Sequence, residues 1–232
     1  LKGLPPQKPQ RRFPKESPMS AKPRPTPLLK PPQTPELHPG NSVVVLGLDT
    51  GFANVGWAVA RMTCNTLVPG NNILVPIAMG IHRSESSAKK LKIKVGDDDF
   101  ARSQAIAKML YDLMRTYSPV VVCCEAFSPM RNAGTVAKVG RCFGVLAALT
   151  QHFDVPCLHA TPMELKKVVT GTKDASKEAV MAALDQRYQG APKALLEKSK
   201  IPQGQREHPY DALGSIVASW DAEPMRMARR LR

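Results

Sequence analysis

The sequence predicts an α/β fold, a mixed five-stranded sheet flanked by helices. Three observations predict it. Two near-continuous apolar runs, 42–48 and 119–124, suit strands buried on both faces. Strand-like and helix-like segments alternate through the second half of the chain, as sheets with parallel pairs require. Three strand-like segments precede the first long helix, an order that fits a mixed sheet.

The elements are read in order. Ser42-Val43-Val44-Val45-Leu46-Gly47-Leu48 is the first strand, and Asp49-Thr50-Gly51 marks a turn. Segments 55–60 and 73–81 read as the second and third strands. A helix follows at 100–117, where Ile106, Met109, Leu110, Leu113 and Met114 keep helical spacing. Asp97, Asp98 and Asp99 precede it, where negative charge suits a helix N-terminus. Segment 119–124 is the fourth strand, 132–153 a long helix and 155–160 the fifth strand. Two helices are expected near 161–169 and 175–189, then a Lys- and Arg-bearing loop over 190–207. A last helix starts at Pro209, the favoured first helical position for proline, and runs to about Trp220.

The two ends differ from this core. Residues 1–40 hold 12 prolines, eight lysines or arginines and two acids. Such a segment cannot build a core, so 1–41 reads as a Pro-rich basic extension, disordered alone. It suits a linker or an electrostatic arm that meets nucleic acid or a larger nucleoprotein assembly. Residues 222–232 read as a basic tail, with Arg226, Arg229, Arg230 and Arg232. The whole chain of 232 residues carries a formal charge of +14, but only +6 remains without residues 1–40 and 221–232. A charge balance of this sign favours polyanionic partners.

Five cysteines occur, Cys64, Cys123, Cys124, Cys142 and Cys157, an odd number with no CxxC pair. They read as buried thiols of a reduced, intracellular protein and not as a disulfide scaffold or zinc ribbon. On a strand, Cys123 and Cys124 would face opposite sides. No apolar run approaches the roughly 20 residues that span a bilayer. The expected location is a bacterial or viral-host cytoplasm. An organelle matrix such as the mitochondrial one is expected if 1–40 is a targeting remnant.

The chemistry is concentrated in four residues. Asp49 closes the first strand and Glu125 the fourth, and sites in open α/β sheets form at the carboxyl ends of strands. Asp211 sits in the first turn of the last helix. His208 lies three residues earlier and can share its face. An acid placed straight after five apolar strand residues, as Glu125 is, is costly unless paired. Hard cations suit such a cluster. Two of them about 4 Å apart stabilise the attacking and leaving oxygens of a phosphodiester displacement. Carboxylates favour Mg2+, and an imidazole shifts the balance toward Mn2+. Taken singly, Asp49 is also an ordinary turn residue and Asp211 an ordinary helix acid.

Four motifs resemble those of RuvC-type Holliday junction resolvases, in the RNase H-like superfamily. Leu46-Gly47-Leu48-Asp49-Thr50-Gly51-Phe52-Ala53-Asn54-Val55-Gly56-Trp57 resembles the family's opening. Cys124-Glu125-Ala126-Phe127, with Asn132-Ala133 and the helix around 140–148, resembles its second acidic motif. Leu165 to Thr172, through Ser176-Lys177, resembles its basic motif. His208-Pro209-Tyr210-Asp211-Ala212-Leu213-Gly214 resembles its closing motif. The resemblance spans about 43–220 and implies an RNase H-like nuclease domain over 42–221.

It further implies metal ligation by Asp49, Glu125 and Asp211, with His208 where the family has Asp or His, and two ions, Mg2+ or Mn2+, per site. Lys166 and Lys177 fall on family lysines that approach the scissile strand, and Lys177 is placed among the catalytic groups. Arg131, Lys138, Arg141, Lys166, Lys167, Lys173 and Lys177 would track DNA backbones. The long helix, with Ala133, Ala137, Gly140, Gly144 and Ala148 along one face, would join two subunits of a homodimer; close packing on its own sheet is the other use of such a face.

Two positions depart from the family pattern. Thr50 stands where proline is usual. Ser128 occupies the place of an aromatic junction wedge, with Phe127 one residue early, where it would either unstack a DNA base or be buried in the core. The reading is thus a metal-dependent endodeoxyribonuclease of the crossover-junction type, acting on branched DNA and leaving 5′-phosphate and 3′-hydroxyl ends. Two alternatives stay open. One is a nuclease of wider branched-DNA or RNA-containing substrates. The other is a degenerate, architectural member of a nucleoprotein assembly.

Overall fold

A computed structural model describes residues 42–63, 73–127 and 132–230. The first strands are β1 (Ser42–Thr50), β2 (Asn54–Thr63) and β3 (Leu74–Arg83). A short helix α1 (Ala88–Leu91) and the long α2 (Val95–Tyr117) lead to β4 (Val121–Glu125). Then come α3 (Ala133–His152), β5 (Cys157–Ala160), α4 (Pro162–Thr170), α5 (Lys177–Arg187), α6 (Ala191–Lys198), α7 (Glu207–Ala218) and α8 (Glu223–Ala228). The sheet order is β3-β2-β1-β4-β5. β3, β2 and β1 are antiparallel neighbours, whereas β4 pairs in parallel with both β1 and β5. The expected mixed five-stranded sheet is therefore present.

Burial on both faces of β1 explains its unbroken apolar run. Val45 belongs to the core on one side of the sheet, with Leu184, Leu213 and Ile216. Leu46 and Leu48 belong to the core on the other, with Ile106, Leu110 and Leu146. β4 divides in the same way. Cys123 lies in the first core and Cys124 in the second, the opposite-face placement expected of a strand.

Several expectations are corrected. Helix α2 begins at Val95, so Asp98 and Asp99 lie inside its first turns and are buried. Asp98 accepts hydrogen bonds from Ser86 Oγ at 2.8 Å and from the Ser87 backbone N–H at 3.0 Å, which tie α2 to the loop before it. Segment 190–207 is mostly helix, not loop. α6 fills 191–198, with Pro192 near its start and Leu196 buried, and a 3-10 turn covers Gln203–Gln205. The last long helix starts two residues before Pro209 and stops at Ala218. The basic stretch after 221 is not simply a tail. α8 buries Met225 and Ala228 in the first core, and Arg229 lies over the Trp220 ring at 4.4 Å. By length and composition α3 could cross a membrane, against the expectation of no such run. Its Val139, Cys142, Leu146 and Thr150 are buried against the domain, and the rest of the helix is half-buried or exposed. The expected basic extension over 1–41 lies outside the described residues.

Helix α7 rests on β1, β2 and β4 at very short range. A side chain at Gly47 would meet the Ala212 carbonyl oxygen, and one at Gly56 the His208 backbone. Tyr210 anchors the same helix to α5 by donating to Asp185 at 2.7 Å. Gly47→Ala should force α7 off the sheet and destabilise the domain by about 2 kcal/mol or more, a fall in Tm of roughly 4 to 8 °C. Thermal unfolding measures this, and an unchanged Tm would contradict the close approach.

Candidate active site

β1 and β4 run in parallel register, with Leu48 beside Cys124. One further step brings Asp49 level with Glu125 at the same end of the sheet. Both side chains follow the parity of Gly47 and Cys123 and so face α7. α7 supplies His208 and Asp211 from its first turns. The expected four-residue constellation is thereby brought together by three elements.

The hydrogen bonds fix its details. His208 Nδ1 lies 2.6 Å from Asp49 Oδ2. Its other ring nitrogen, Nε2, is 3.3 Å from Asn54 Nδ2. An ionised carboxylate can only accept, so Nδ1 carries the proton given to Asp49. In this arrangement both ring nitrogens are engaged, and His208 orients the Asp49 carboxylate. Lys177, at the start of α5, donates to Glu207 Oε2 at 2.7 Å. Asn54 and Glu207 are site residues that sequence reasoning missed. Glu207 adjoins the closing motif and Asn54 lies within the opening one, but only the tertiary packing shows their partners.

The electrostatics fit a cation. Burial, then the charges of Asp49 and Asp211, push the Glu125 carboxyl up to about 7. Burial, then Asp49, push Asp211 up to about 6. Lys177 and His208 oppose both shifts without cancelling them. The hydrogen bond to Asp49 raises His208, against the effect of burial. Three oxygen donors that cannot all ionise cheaply together suit a hard divalent ion, whose charge removes the repulsion.

The other expected residues are more dispersed. Lys166 is half-buried on α4, and Lys167 and Lys173 are exposed. Lys138 and Arg141 both reach Asp99, at 3.6 and 3.0 Å, so each already has a partner within the chain. Phe127 is 41% exposed, and its ring meets Phe143 edge-on at 5.8 Å. It is neither wholly core nor free-standing. Arg131 lies outside the described residues.

The raised acids predict how stability depends on pH. The folded state holds protons on Glu125 between its ordinary 4.5 and about 7, so stability falls as pH rises through that window. Asp211 acts in the same direction, and His208 also loses its stabilising charge as pH rises. In chelator, Tm should fall between about pH 5 and pH 8, and Glu125→Gln or saturating Mg2+ should flatten the slope. A Tm in chelator that rose or stayed level over that range would contradict the assigned charges.

A family model for crossover junction endodeoxyribonuclease RuvC matches residues 45–189. The chain is 26% identical over 176 residues to the enzyme of that name from Thermosipho melanesiensis, covering 76% of this chain and 94% of the relative. It is 27% identical over 177 residues to the one from Natranaerobius thermophilus, covering 76% and 92%. Among solved structures, Thermus thermophilus RuvC in complex with Holliday junction substrate superposes with a TM-score of 0.58 at 20% identity, covering 79% of this chain and 96% of that one. The yeast mitochondrial Holliday junction resolvase superposes with a TM-score of 0.54 at 15% identity, covering 80% and 81%. These structures share the fold, and the family match spans more than half of the sequence. The chain belongs to the RuvC family of crossover junction endodeoxyribonucleases.

Proposed function

We propose that this protein is a structure-selective endonuclease that resolves four-way DNA junctions by metal-dependent phosphodiester hydrolysis. The observation that carries the reading is the convergence of Asp49, Glu125 and Asp211 at one end of the sheet, with the proton affinity of Glu125 raised by burial and then by the other two. The name shared by the curated relatives supports the substrate class.

Asp49, Glu125 and Asp211 would hold two divalent ions, Mg2+ or Mn2+. Such ions supply activation of a water and stabilisation of charge on the attacking and leaving oxygens. The remaining roles belong to the chain's own residues. His208 holds the Asp49 carboxylate in orientation through Nδ1, and would ligate an ion through Nε2 by releasing Asn54. Glu207 steers the Lys177 ammonium beside the acids, where it can meet a phosphate oxygen. Lys166, Lys167 and Lys173 extend positive charge away from that point. Hydrolysis would leave a 5′-phosphate and a 3′-hydroxyl.

Two opposed strands need two sites, which a two-fold homodimer provides. Ala133, Ala137, Gly140, Gly144 and Ala148 are exposed on α3, and among the described residues no atom stands within van der Waals range of a side chain added at Gly140 or Gly144. Among the described residues that face meets nothing of the chain's own sheet, which supports its use against a second copy. The described thiols Cys123, Cys124, Cys142 and Cys157 are free, in keeping with a reducing compartment. Residues 1–40 would add non-specific affinity through their charge and a route into a larger assembly.

The rival with a specific observation behind it is a nuclease of wider branched or RNA-containing substrates. Phe127 leans on Phe143, which weakens its case as a junction wedge. Cleavage of a synthetic four-way junction, linear duplex and RNA–DNA hybrid in Mg2+ or Mn2+ separates the readings. Paired symmetric nicks confined to the junction are expected, with Asp49→Asn reducing the rate by a factor of about 1000 or more. Equal cutting of all three substrates would favour the rival. Binding without metal-dependent cutting would leave an architectural role.

A further inference from the structure

A second cluster of ligand atoms lies on the opposite face of the sheet from the acids. Cys124 stands beside His159 in the β4–β5 register, and Cys157 is two residues before His159 on the same strand. All three side chains therefore share one face. The two sulfurs and a ring nitrogen of His159 lie within 4.8 Å of one another. The Cys124 and Cys157 Sγ atoms are 3.9 Å apart. Two thiolates on a tetrahedral Zn2+, each at about 2.3 Å, are separated by about 3.8 Å, so the sulfurs already stand at ligand spacing.

The surroundings favour ligation. The His159 ring stacks on Phe143 at 5.9 Å and 20°, and Phe127 meets the same Phe143 edge-on, so the imidazole is held by packing. Cys124 is buried, Cys157 half-buried and His159 exposed, which gives an ion a way in from the edge strand. The donor set, two sulfurs and a nitrogen, is soft where the acid cluster is hard. It selects Zn2+ and leaves Mg2+ to the carboxylates.

We infer that Cys124, Cys157 and His159 form a second metal site, which binds one Zn2+ and clamps the edge strand β5 to β4 behind Glu125. Each thiol gives its proton to solvent on binding, and the fourth position is left to water. The inference stands on these three residues and does not depend on the nuclease reading. No CxxC spacing marks the site, because its cysteines come from neighbouring strands.

Co2+ added to the full-length, fully reduced protein under anaerobic conditions, with excess Mg2+ to fill the carboxylates, tests it. A thiolate-to-Co2+ charge-transfer band should appear, saturate at one equivalent and be displaced by Zn2+. Asp49→Asn should retain the band and Cys157→Ser should abolish it. His159→Asn, an exposed change that spares the core, should weaken Co2+ affinity about tenfold or more. Absence of the band from the reduced protein, or its survival in Cys157→Ser, would overturn the inference.

Discussion

The close seat of α7 on the sheet is the constraint on which the site depends. His208 and Asp211 ride on that helix, while Asp49 and Glu125 ride on β1 and β4. The two sets meet only because Gly47 and Gly56 present no side chain to the helix backbone. The Tyr210–Asp185 bond and the burial of Leu213 and Ile216 hold the helix down once the glycines admit it. A displacement of about 1 Å there would separate acids whose chemistry requires a common centre.

That closeness has an electrostatic cost which the protein leaves partly unpaid. Lys177 and His208 offset the repulsion among the three acids, yet Glu125 and Asp211 both remain far above ordinary carboxyl values. A fully neutralised cluster would have no need of a cation. Glu207 adds to this balance by sharing the Lys177 ammonium, so that the lysine is not committed to a single site carboxylate. His208 donates its Nδ1 proton to Asp49 and sets Nε2 against Asn54, so it orients the carboxylate as well as offsetting its charge.

Much of this was legible in the sequence because buried strands write themselves as apolar runs. β1 and β4 stand out for that reason, and an acid directly after such a run is conspicuous. What sequence could not show was their pairing, since nothing local states that β4 lies beside β1. α6 was hidden by its lysines and its Pro192, which read as loop until Leu196 is seen in the core. α8 was hidden in the same way, with Met225 and Ala228 set among arginines. Asn54 and Glu207 belong to the site through tertiary contacts alone. So do Cys124, Cys157 and His159, which share a face only after β4 and β5 pair. Lys138 and Arg141 looked free for DNA because Asp99 was read as a residue outside the helix, when it is buried within α2.

The central claim is that the three acids form one cation site whose protons and metal ions compete. Proton release on Mg2+ binding, followed calorimetrically near pH 6.5 in buffers of different ionisation enthalpy, tests it most directly. The account predicts net release of protons on binding, reduced in Glu125→Gln, because Glu125 and Asp211 are partly protonated before the ion arrives. Mg2+ binding without proton release, or release unchanged in that variant, would contradict it.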